Sequence, residues 1–332
     1  MSRIKEITNK RFFIRVIRVL FATFAVRRCP GGAAILLAAL CLCGCEESGN
    51  GRGQVVTVMG RTGIGSGLFV YPRAIDLAPD GTVFVVDKTG RVQRMAPDGR
   101  FINSFQMPEV RAGKPVGMSF GANGHLYVAD THYYRVMEFT LDGEIVRQFG
   151  SFGTENGQFI YPTDVAFGPD GRLYVGEYGG NDRISVFTPE GEFLFAFGSL
   201  GEKDGQFSRP AGLVIDPDRK VLYVADACNH RIARYNLDGG LLGYFGSIGT
   251  GPGQLRYPYD LALMKDGNLL VTEYGNNRLQ VFAPDGSSLG SYGRGGSQRG
   301  ELAYPWGAAV DARGRAYIAD AGNNRIQVWQ LR

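Results

Sequence analysis

The sequence predicts an all-β protein, a six-bladed β-propeller whose last blade is closed by a strand from near the N-terminus. A proline recurs six times at intervals of 43 to 48 residues, and each one opens the same succession of short apolar segments and glycine turns. Self-similarity at this period indicates supersecondary units that bury their faces only against one another. The prolines are Pro72, Pro115, Pro162, Pro210, Pro258 and Pro305.

Each unit contains four candidate strands. One follows the proline, and a second, rich in Val, Tyr and Leu, ends in Asp or Glu, as at Glu177. Arginine opens the third strand, as at Arg183, and the fourth ends at a glycine, as at Gly198. Short runs of β-branched and aromatic residues between glycine turns favour strands over helices. Four antiparallel strands per unit form a propeller blade.

The two ends of the repeat region complement each other. The last unit stops after its third strand, at Trp329, whereas residues 54–59, followed by Gly60, match the fourth strand of the other units. We therefore expect the N-terminal strand to complete the last blade, which removes a sheet edge that would otherwise be exposed to pairing with other chains.

The turns after the second strands carry a family resemblance. Residues 317–328 (Tyr-Ile-Ala-Asp-Ala-Gly-Asn-Asn-Arg-Ile-Gln-Val) and 271–281 resemble the NHL repeat, and Asn229-His230-Arg231-Ile232 comes nearest to its Asn-His-Leu core. The resemblance spans roughly residues 54–332. It implies the propeller fold, but this family includes lyases, RNA-binding modules, protein-interaction domains and sensor ectodomains, so the fold does not decide the activity.

The N-terminal segment has the features of a bacterial export signal. An apolar run of twelve residues, 33–44, follows eight basic residues and a single acid; as a helix it would reach about 18 Å, too short for a bilayer core of about 30 Å. This length suits the apolar region of a signal peptide. The run ends in Leu42-Cys43-Gly44-Cys45, which resembles a lipobox. The alternatives are a short buried helix and a mitochondrial presequence.

These features predict three regions. Residues 1–44 would be the signal peptide, residues 45–53 the lipidated Cys45 with a flexible tether, and residues 54–332 the propeller. The expected location is the cell envelope, with a lipid anchor in the membrane and the propeller facing the periplasm or the surface. Only Cys45 and Cys228 would remain after cleavage, so we expect no internal disulfide.

The charge of the mature chain argues against nucleic acid. Of 36 basic and 32 acidic residues, eight and one lie in residues 1–44, which leaves 28 basic and 31 acidic residues, a net charge of −3. Export and the lack of a basic excess both oppose RNA binding. The expected partner is instead a protein, a peptide or a glycan of the envelope, bound by a monomeric propeller.

The hairpin turns predict two pairs of carboxylates. A two-residue turn at Asp170-Gly171 places Asp164 directly opposite Glu177, and the turn at Asp266-Gly267 places Asp260 opposite Glu273. Like charges at such positions are destabilising. We expect structural hydrogen bonds, a shared proton or a bound hard cation such as Ca²⁺ to compensate. The four acids are therefore candidate metal ligands, and no other cofactor is predicted.

The candidate ligand site lies at the end of the blades where the second strands end and where glycine-containing loops lead from one blade to the next. The residues after the prolines would ring the channel there, and Arg73, Tyr259 and Trp306 form a mixed cationic and aromatic set that is suited either to ligand contact or to plugging the channel. His132 and His230 lie in turns at the same end. The alternatives for each are a role as a single base and a structural role in its turn. The NHL-type peptidylglycine lyase holds zinc with histidines from several blades, a pattern that the three histidines here do not match.

Two classes of function follow. The first is a binding or scaffold module. The alternative is a cation-dependent lyase or hydrolase of the streptogramin-lyase-like type, with its site at the channel mouth. The sequence contains no motif of a catalytic nucleophile, so no catalytic residue is assigned.

Overall fold

The structure, a computed structural model, describes residues 53–331. The predicted signal peptide, Cys45 and the tether up to residue 52 lie outside these residues. The described residues form six antiparallel four-stranded sheets, arranged in a ring in which the innermost strand of each blade contacts the innermost strand of the next. The predicted six-bladed propeller is confirmed.

Each blade runs from the channel outward in chain order. Blade 1 contains β2 (Pro72–Leu77), β3 (Val83–Asp87), β4 (Arg91–Met95) and β5 (Phe101–Gln106). Blade 2 contains β6 (Gly117–Phe120), β7 (Leu126–Asp130), β8 (Arg135–Phe139) and β9 (Ile145–Phe149). Blade 3 contains β10 (Tyr161–Phe167), β11 (Leu173–Tyr178), β12 (Arg183–Phe187) and β13 (Phe193–Phe197).

The second half repeats this order. Blade 4 contains β14 (Pro210–Asp216), β15 (Val221–Asp226), β16 (Arg231–Asn236) and β17 (Leu241–Phe245). Blade 5 contains β18 (Pro258–Leu263), β19 (Leu269–Glu273), β20 (Arg278–Phe282) and β21 (Ser288–Tyr292). The short strands β22 (Arg294–Gly295) and β23 (Glu301–Leu302) pair in parallel in the following loop. Blade 6 contains β24 (Pro305–Val310), β25 (Arg315–Asp320), β26 (Arg325–Gln330) and the N-terminal strand β1 (Gln54–Met59).

The N-terminal strand closes the ring as predicted. β1 pairs antiparallel with β26, with Val55 opposite Trp329 and Met59 opposite Ile326. Met59 is 2% exposed and belongs to the apolar cluster between blades 6 and 1. A similar cluster fills each of the other five blade interfaces. Both faces of every blade are therefore partly buried, which explains why the second strands are largely apolar before the acid.

The structure also bears on the cysteines and on membrane-spanning helices. Among residues 53–331, the structure contains one cysteine, Cys228, which is exposed and unbridged in the turn after β15. No helix in this part of the chain is long and apolar enough to cross a membrane.

Candidate functional site

The acid that ends each second strand is buried and bound to the arginine that opens the third. Glu177 accepts from Nε of Arg183 at 2.7 Å, and Glu273 accepts from Nε of Arg278 at 2.6 Å. The other blades have the same ion pair, at Asp87–Arg91, Asp130–Arg135, Asp226–Arg231 and Asp320–Arg325. In blade 3, the second oxygen of Glu177 accepts the backbone N–H of Ile160 at 2.8 Å, in the loop that enters the blade. These acids hold the loops at one end of the propeller.

Blade 2 breaks this pattern. Oδ1 of Asp130 is buried and has no hydrogen-bond partner, because the entering loop at residues 107–116 does not donate to it. Burial raises the pKa of Asp130 to about 6, and Glu109 adds to the rise while Arg135 opposes it.

The predicted pairs of opposed carboxylates are wrong. Glu177 lies opposite Pro162, and Asp164 lies opposite Gly176; in blade 5, Pro258 lies opposite Glu273 and Asp260 opposite Thr272. The hairpin loops contain three residues and not the predicted two, because Gly168 pairs with Arg172 and Met264 with Asn268; this shifts the partners of Asp164 and Asp260 by one residue. A β-bulge directly after the proline shifts Glu177 and Glu273 by one residue more. Because a one-residue shift moves a side chain to the other face, the two acids of each pair do not meet.

The residue before the proline adopts an unusual backbone in four blades. Tyr71, Arg209, Tyr257 and Tyr304 have φ between 50° and 60°, a left-handed conformation that large side chains rarely adopt. A polar side chain of the preceding blade holds the N–H of each one: Asn324 for Tyr71, Asp182 for Arg209, His230 for Tyr257 and Asn277 for Tyr304, at 2.7 to 3.1 Å. We call this contact a latch; of the four residues that it holds, Arg209 lines the central channel.

His230 is therefore placed as a structural residue. Its Nδ1 accepts the N–H of Tyr257 at 3.1 Å, and its ring meets the Tyr257 ring edge-on at 4.6 Å. Burial lowers the pKa of His230, with a further contribution from Arg256. Sequence reasoning kept His230 as a ligand-binding candidate, and the structure gives its ring nitrogen a partner within the fold.

The central channel contains a cavity that the innermost strands of all six blades line. It has a volume of about 310 Å³, at the lower end of the range for small-molecule pockets. All three residues of the predicted set, Arg73, Tyr259 and Trp306, line it. The guanidinium of Arg73 lies 5.2 Å from the centre of the Trp306 ring, and the Tyr259 and Trp306 rings are 4.9 Å apart.

Sequence reasoning missed a second arginine and several tyrosines. Arg209 lies between the rings of Tyr178 and Tyr259, at 5.0 and 5.1 Å. Tyr274 packs on both Tyr259 and Trp306, at 4.6 and 5.7 Å. The position before the proline carries Tyr or Arg in five of the six repeats, and Tyr178 and Tyr274 each follow the acid of a second strand, but the spacing does not show which of these side chains reach the channel. We use "channel mouth" below for Arg73, Tyr178, Arg209, Tyr259, Tyr274 and Trp306.

The two arginines of the channel mouth lack carboxylate partners. The six arginines that open third strands are all paired with an acid, whereas Arg73 and Arg209 form no ion pair with any carboxylate of residues 53–331. Nε of Arg73 is buried without a hydrogen bond. Burial lowers the pKa of Arg73, and the nearby Arg209 lowers it further. The guanidinium groups of Arg73 and Arg209 therefore have no ion-pair partner among the described residues.

His132 lies outside the central cavity. Its ring packs 5.7 Å from that of Tyr161 and against the backbone of Gly113, and it is not among the residues that line the channel. Burial lowers the pKa of His132 against a hydrogen bond with the backbone of Lys114, and the charges of Arg73 and Lys114 lower it further. The structure therefore gives His132 no contact with the channel.

Three aspartates line the channel below the mouth, one on each odd-numbered blade. Asp164 accepts the N–H of Leu213 at 2.9 Å, Asp260 that of Ala308 at 2.8 Å and Asp76 that of Phe120 at 2.8 Å. Each aspartate therefore joins its blade to the next one. Space for two of them comes from glycine, because a Cβ on Gly117 would lie 2.7 Å from Oδ1 of Asp164 and one on Gly212 would lie 2.6 Å from Oδ1 of Asp260.

Burial shifts the titration of these aspartates. It raises the pKa of Asp76 to about 6 and that of Asp260 to about 7, against the donated backbone hydrogen bonds. It also raises the pKa of Asp164 well above its usual range, and the charge of Asp260 adds to this rise. Desolvation outweighs hydrogen bonding here because the carboxyl groups of all three aspartates lie deep in the protein.

The four candidate metal ligands do not meet as the pairs expected from the sequence. Asp164 and Asp260 bind backbone N–H groups, whereas Glu177 and Glu273 bind arginines on the other side of the bulge. Residues 53–331 contain no group of three or more His, Cys, Asp or Glu side chains placed to hold a metal ion. A cation in the channel would therefore have to be held without the two glutamates.

The fold and the channel define a six-bladed propeller with a cavity of small-molecule size. Residues 77–298 match the SMP-30/gluconolactonase/LRE-like region, and residues 302–329 match the NHL repeat. Since the first match covers about two thirds of the chain, the protein belongs to the SMP-30/gluconolactonase/LRE-like family. The NHL resemblance of the repeats is confirmed.

Solved structures of similar fold include two enzymes. A virginiamycin B lyase from Staphylococcus aureus is 21% identical, with a TM-score of 0.57 over 79% of this chain and 80% of that one. A gluconolactonase from Xanthomonas campestris is 17% identical, with a TM-score of 0.60 over 80% and 87% of the two chains. A Bacteroides thetaiotaomicron protein of unknown function is 19% identical, with a TM-score of 0.62 over 84% and 76%. At these identities the likeness concerns the fold. Among curated proteins, none matches the chain.

Proposed function

We propose that the propeller is a binding module that holds an anionic group of its ligand at the channel mouth. The observation that carries this proposal is the pair Arg73 and Arg209, each stacked on aromatic rings and neither paired with a carboxylate. Stacking fixes both guanidiniums while leaving their N–H groups free to donate. Such an arrangement favours a carboxylate or phosphate ligand.

Binding is a better account of this geometry than catalysis. The acids near the channel are engaged in joining blades or holding loops, and one of the two histidines at this end is a latch. The mouth offers arginines and aromatic rings, which are side chains that recognise ligands in small pockets. The partner class is that expected from the sequence, a protein, peptide or glycan of the envelope.

Trp306 provides the test. The chain has two tryptophans; Trp306 lines the channel and Trp329 is 4% exposed in the core. Titration with acidic and neutral peptides and oligosaccharides should change the fluorescence of Trp306 with acidic compounds only. The Trp306→Phe variant should lose the signal, and the Arg73→Met, Arg209→Met double variant should lose binding. The proposal would be abandoned if neutral compounds bound as well, or if the double variant bound normally.

We also propose that the protein works in the cell envelope, anchored to the membrane through a lipid on Cys45. The support is the sequence of residues 33–45, an apolar run that ends in a lipobox-like motif. A tether of eight residues up to Gly53 would keep the propeller within about 15 Å of the anchor. The ligand would then be sought among envelope molecules.

The second candidate is the lyase or hydrolase of the streptogramin-lyase-like type. Family membership supports it, as do the channel aspartates, since a carboxyl with a pKa of about 7, as at Asp260, suits proton transfer at neutral pH. Its cation-dependent form requires Ca²⁺ or a similar ion at Asp164 and Asp260. That form predicts that Ca²⁺ raises the melting temperature of the wild type, and that the Asp164→Gly, Asp260→Gly double variant loses the increase. Calorimetry without any Ca²⁺ response would eliminate it.

A further inference from the structure

A band of stacked side chains crosses the end of the propeller that contains the channel mouth. It begins in blade 3 and ends at the entrance to blade 6, and the centres of neighbouring groups lie 4.6 to 5.2 Å apart. We call it the aromatic band, and its members in spatial order are Tyr161, Tyr178, Arg209, Tyr259, Tyr274 and Tyr304. The anion site at the mouth is therefore part of a larger surface that spans four blades.

The ring faces in this band are largely taken up by the band itself. Tyr178, Tyr259 and Tyr274 each have two neighbours within it, and the planes of adjacent tyrosine rings differ by only 30° to 34°. A sugar binds an aromatic side chain by lying flat on its face, so a glycan finds few free faces here. Tyrosine and arginine side chains are instead enriched at the centres of protein–protein interfaces, where they contribute most of the binding energy.

Exposed apolar side chains surround the band. They lie in the glycine-containing loops that lead from one blade to the next, and each is 53% to 79% exposed. We call them the rim residues: Ile64, Phe152, Leu200 and Ile248. None of the four lines the channel cavity, so a small anion in that cavity would leave them in water. A partner that covers them must extend well beyond the cavity.

The course of β1 argues against the membrane as that partner. Met59 lies opposite Ile326, beside the turn on the mouth side, and Gln54 lies opposite Gln330, so β1 starts at the end of the propeller that is farther from the mouth. A strand of six residues spans about 20 Å, whereas the tether reaches only about 15 Å. With the proposed anchor at Cys45, the rim residues therefore face away from the bilayer.

A second copy of this chain is also a poor fit. Two propellers docked mouth to mouth would bring Arg73 and Arg209 against the same arginines of the other copy, and like charges in contact oppose association. Their β1 strands would then start at opposite ends of the dimer, so the two anchors could not lie in one membrane.

We propose that the end of the propeller around the channel mouth is the docking surface of a different, folded protein. An acidic side chain of this partner binds Arg73 and Arg209, and its apolar side chains cover the rim residues. The inference rests on the proposed anion binding at the mouth and adds the class of the partner. Arg209 is held between two tyrosine rings before binding, so its charge-assisted contact with a carboxylate costs little side-chain entropy.

Photocrosslinking of the full-length chain, in the cells that produce it, tests this surface. A benzophenone amino acid replaces one residue at a time, either Phe152 or Ile248 of the rim, which are 65% and 64% exposed. The matched controls are Leu194 and Leu242, which are 45% and 51% exposed on the outermost strands β13 and β17. Both rim positions should give an adduct with the same protein, and the control positions should not.

Two variants connect this adduct to the arginines. The Arg73→Met, Arg209→Met double variant should reduce its yield at least about tenfold, as expected for the loss of a charge-assisted contact. The Arg315→Met variant should leave the yield unchanged, because Arg315 also stacks on a tyrosine, at 5.7 Å from Tyr317, but pairs with Asp311 and lies outside the channel. Melting curves of both variants show whether the propeller is still folded.

The partner supplies a measurement that needs no variant of the propeller. Mass spectrometry of the adduct identifies the crosslinked peptide, and each Asp or Glu near it is replaced by Asn or Gln in the purified partner. One of these replacements should weaken binding to the unmodified propeller at least about tenfold, measured by titration calorimetry.

An adduct that is specific to the rim, requires the two arginines and maps beside such an acid supports the inference. An adduct with lipid or with a second copy of this chain would overturn it, as would equal adducts from rim and control positions or no adduct at all. If acidic compounds still changed the fluorescence of Trp306 in those cases, the anion site would stand and only the partner class would be wrong. A rim-specific adduct that required neither the arginines nor an acid of the partner would overturn the proposed contact at Arg73 and Arg209.

Discussion

Nδ1 of His230 in blade 4 accepts the backbone N–H of Tyr257 at the entrance to blade 5, at 3.1 Å. Asn277 and Asn324 make the same contact at the next two interfaces, each at 2.7 Å. His230 thus occupies the place that an asparagine has at the next two interfaces. The residue whose N–H it binds, Tyr257, has a φ of 50°. The neighbouring Asn229 binds Asp226 at 2.8 Å and the carbonyl of Gly201 at 2.9 Å. Asn229 and His230 therefore connect the turn after β15 to two loops, one at Gly201 and one at Tyr257.

The latch predicts the effect of substitutions at His230. The His230→Asn variant should retain the stability of the wild type, because Asn277 and Asn324 show that an amide oxygen reaches the same N–H. The His230→Ala variant should lose about 1 kcal/mol, since the N–H of Tyr257 loses its acceptor. Urea denaturation of the three proteins measures this. Equal losses in both variants would show that the imidazole ring itself is required.

Acid should weaken the same latch. Nδ1 accepts only while His230 is neutral, and burial lowers its pKa in the folded protein. The stabilisation is therefore complete above the unfolded pKa of about 6.5 and is lost as the pH falls through the lower folded pKa. The His230→Asn variant should be less sensitive to pH in this window. Identical pH profiles of the two proteins between pH 7 and pH 5 would argue against the latch.

Closure by β1 can be tested by deletion. Removing residues 54–59 exposes the edge of β26 and the apolar groups covered by Val55 and Met59, which are 7% and 2% exposed. The loss of burial should cost roughly 3 kcal/mol or more and should promote aggregation through the free edge. Calorimetry and light scattering report both. Deleting residues 46–52 instead provides the control, which should melt like the wild type.

The lipid anchor has its own test. The Cys45→Ser variant should lose labelling by a fatty-acid analogue and should leave the membrane fraction or remain unprocessed. Cys228, which is unbridged and exposed in the turn after β15, supplies the matched control, and Cys228→Ser should label normally. Labelling of Cys45→Ser at the level of the wild type would refute the assignment.

The sequence predicted the fold because each blade repeats one hydrophobic pattern, and the missing fourth strand of blade 6 identified the closing strand. It failed at the strand register, because the hairpins turn through three residues and not two and a bulge follows the proline, and residue spacing encodes neither. Asp164 and Asp260 were consequently paired with the wrong acids. Arg209 was missed for a related reason: only its left-handed backbone, held by Asp182, brings a residue before the proline to the mouth.

The channel aspartates lead to the last prediction. Burial raises the pKa of Asp260 to about 7, so the folded protein favours the protonated carboxyl. This contribution to stability is complete below the unfolded pKa of about 3.9 and is lost as the pH rises through about 7. The Asp260→Asn variant carries a neutral side chain of the same shape. The stability difference between wild type and variant should therefore change across this window and become constant above it.

The amide should also lower the overall stability. Asp260 accepts the N–H groups of Leu261 and Ala308 with different oxygens, and an amide has only one oxygen, so about 1 kcal/mol should be lost at low pH. Urea denaturation from pH 4 to pH 8 separates this constant loss from the change with pH. Asp204→Asn on the exposed loop before β14 is the control and should follow the wild type. Parallel curves for wild type and Asp260→Asn would show that Asp260 is ionised throughout, which would remove the observation that most favours an enzymatic role for the channel.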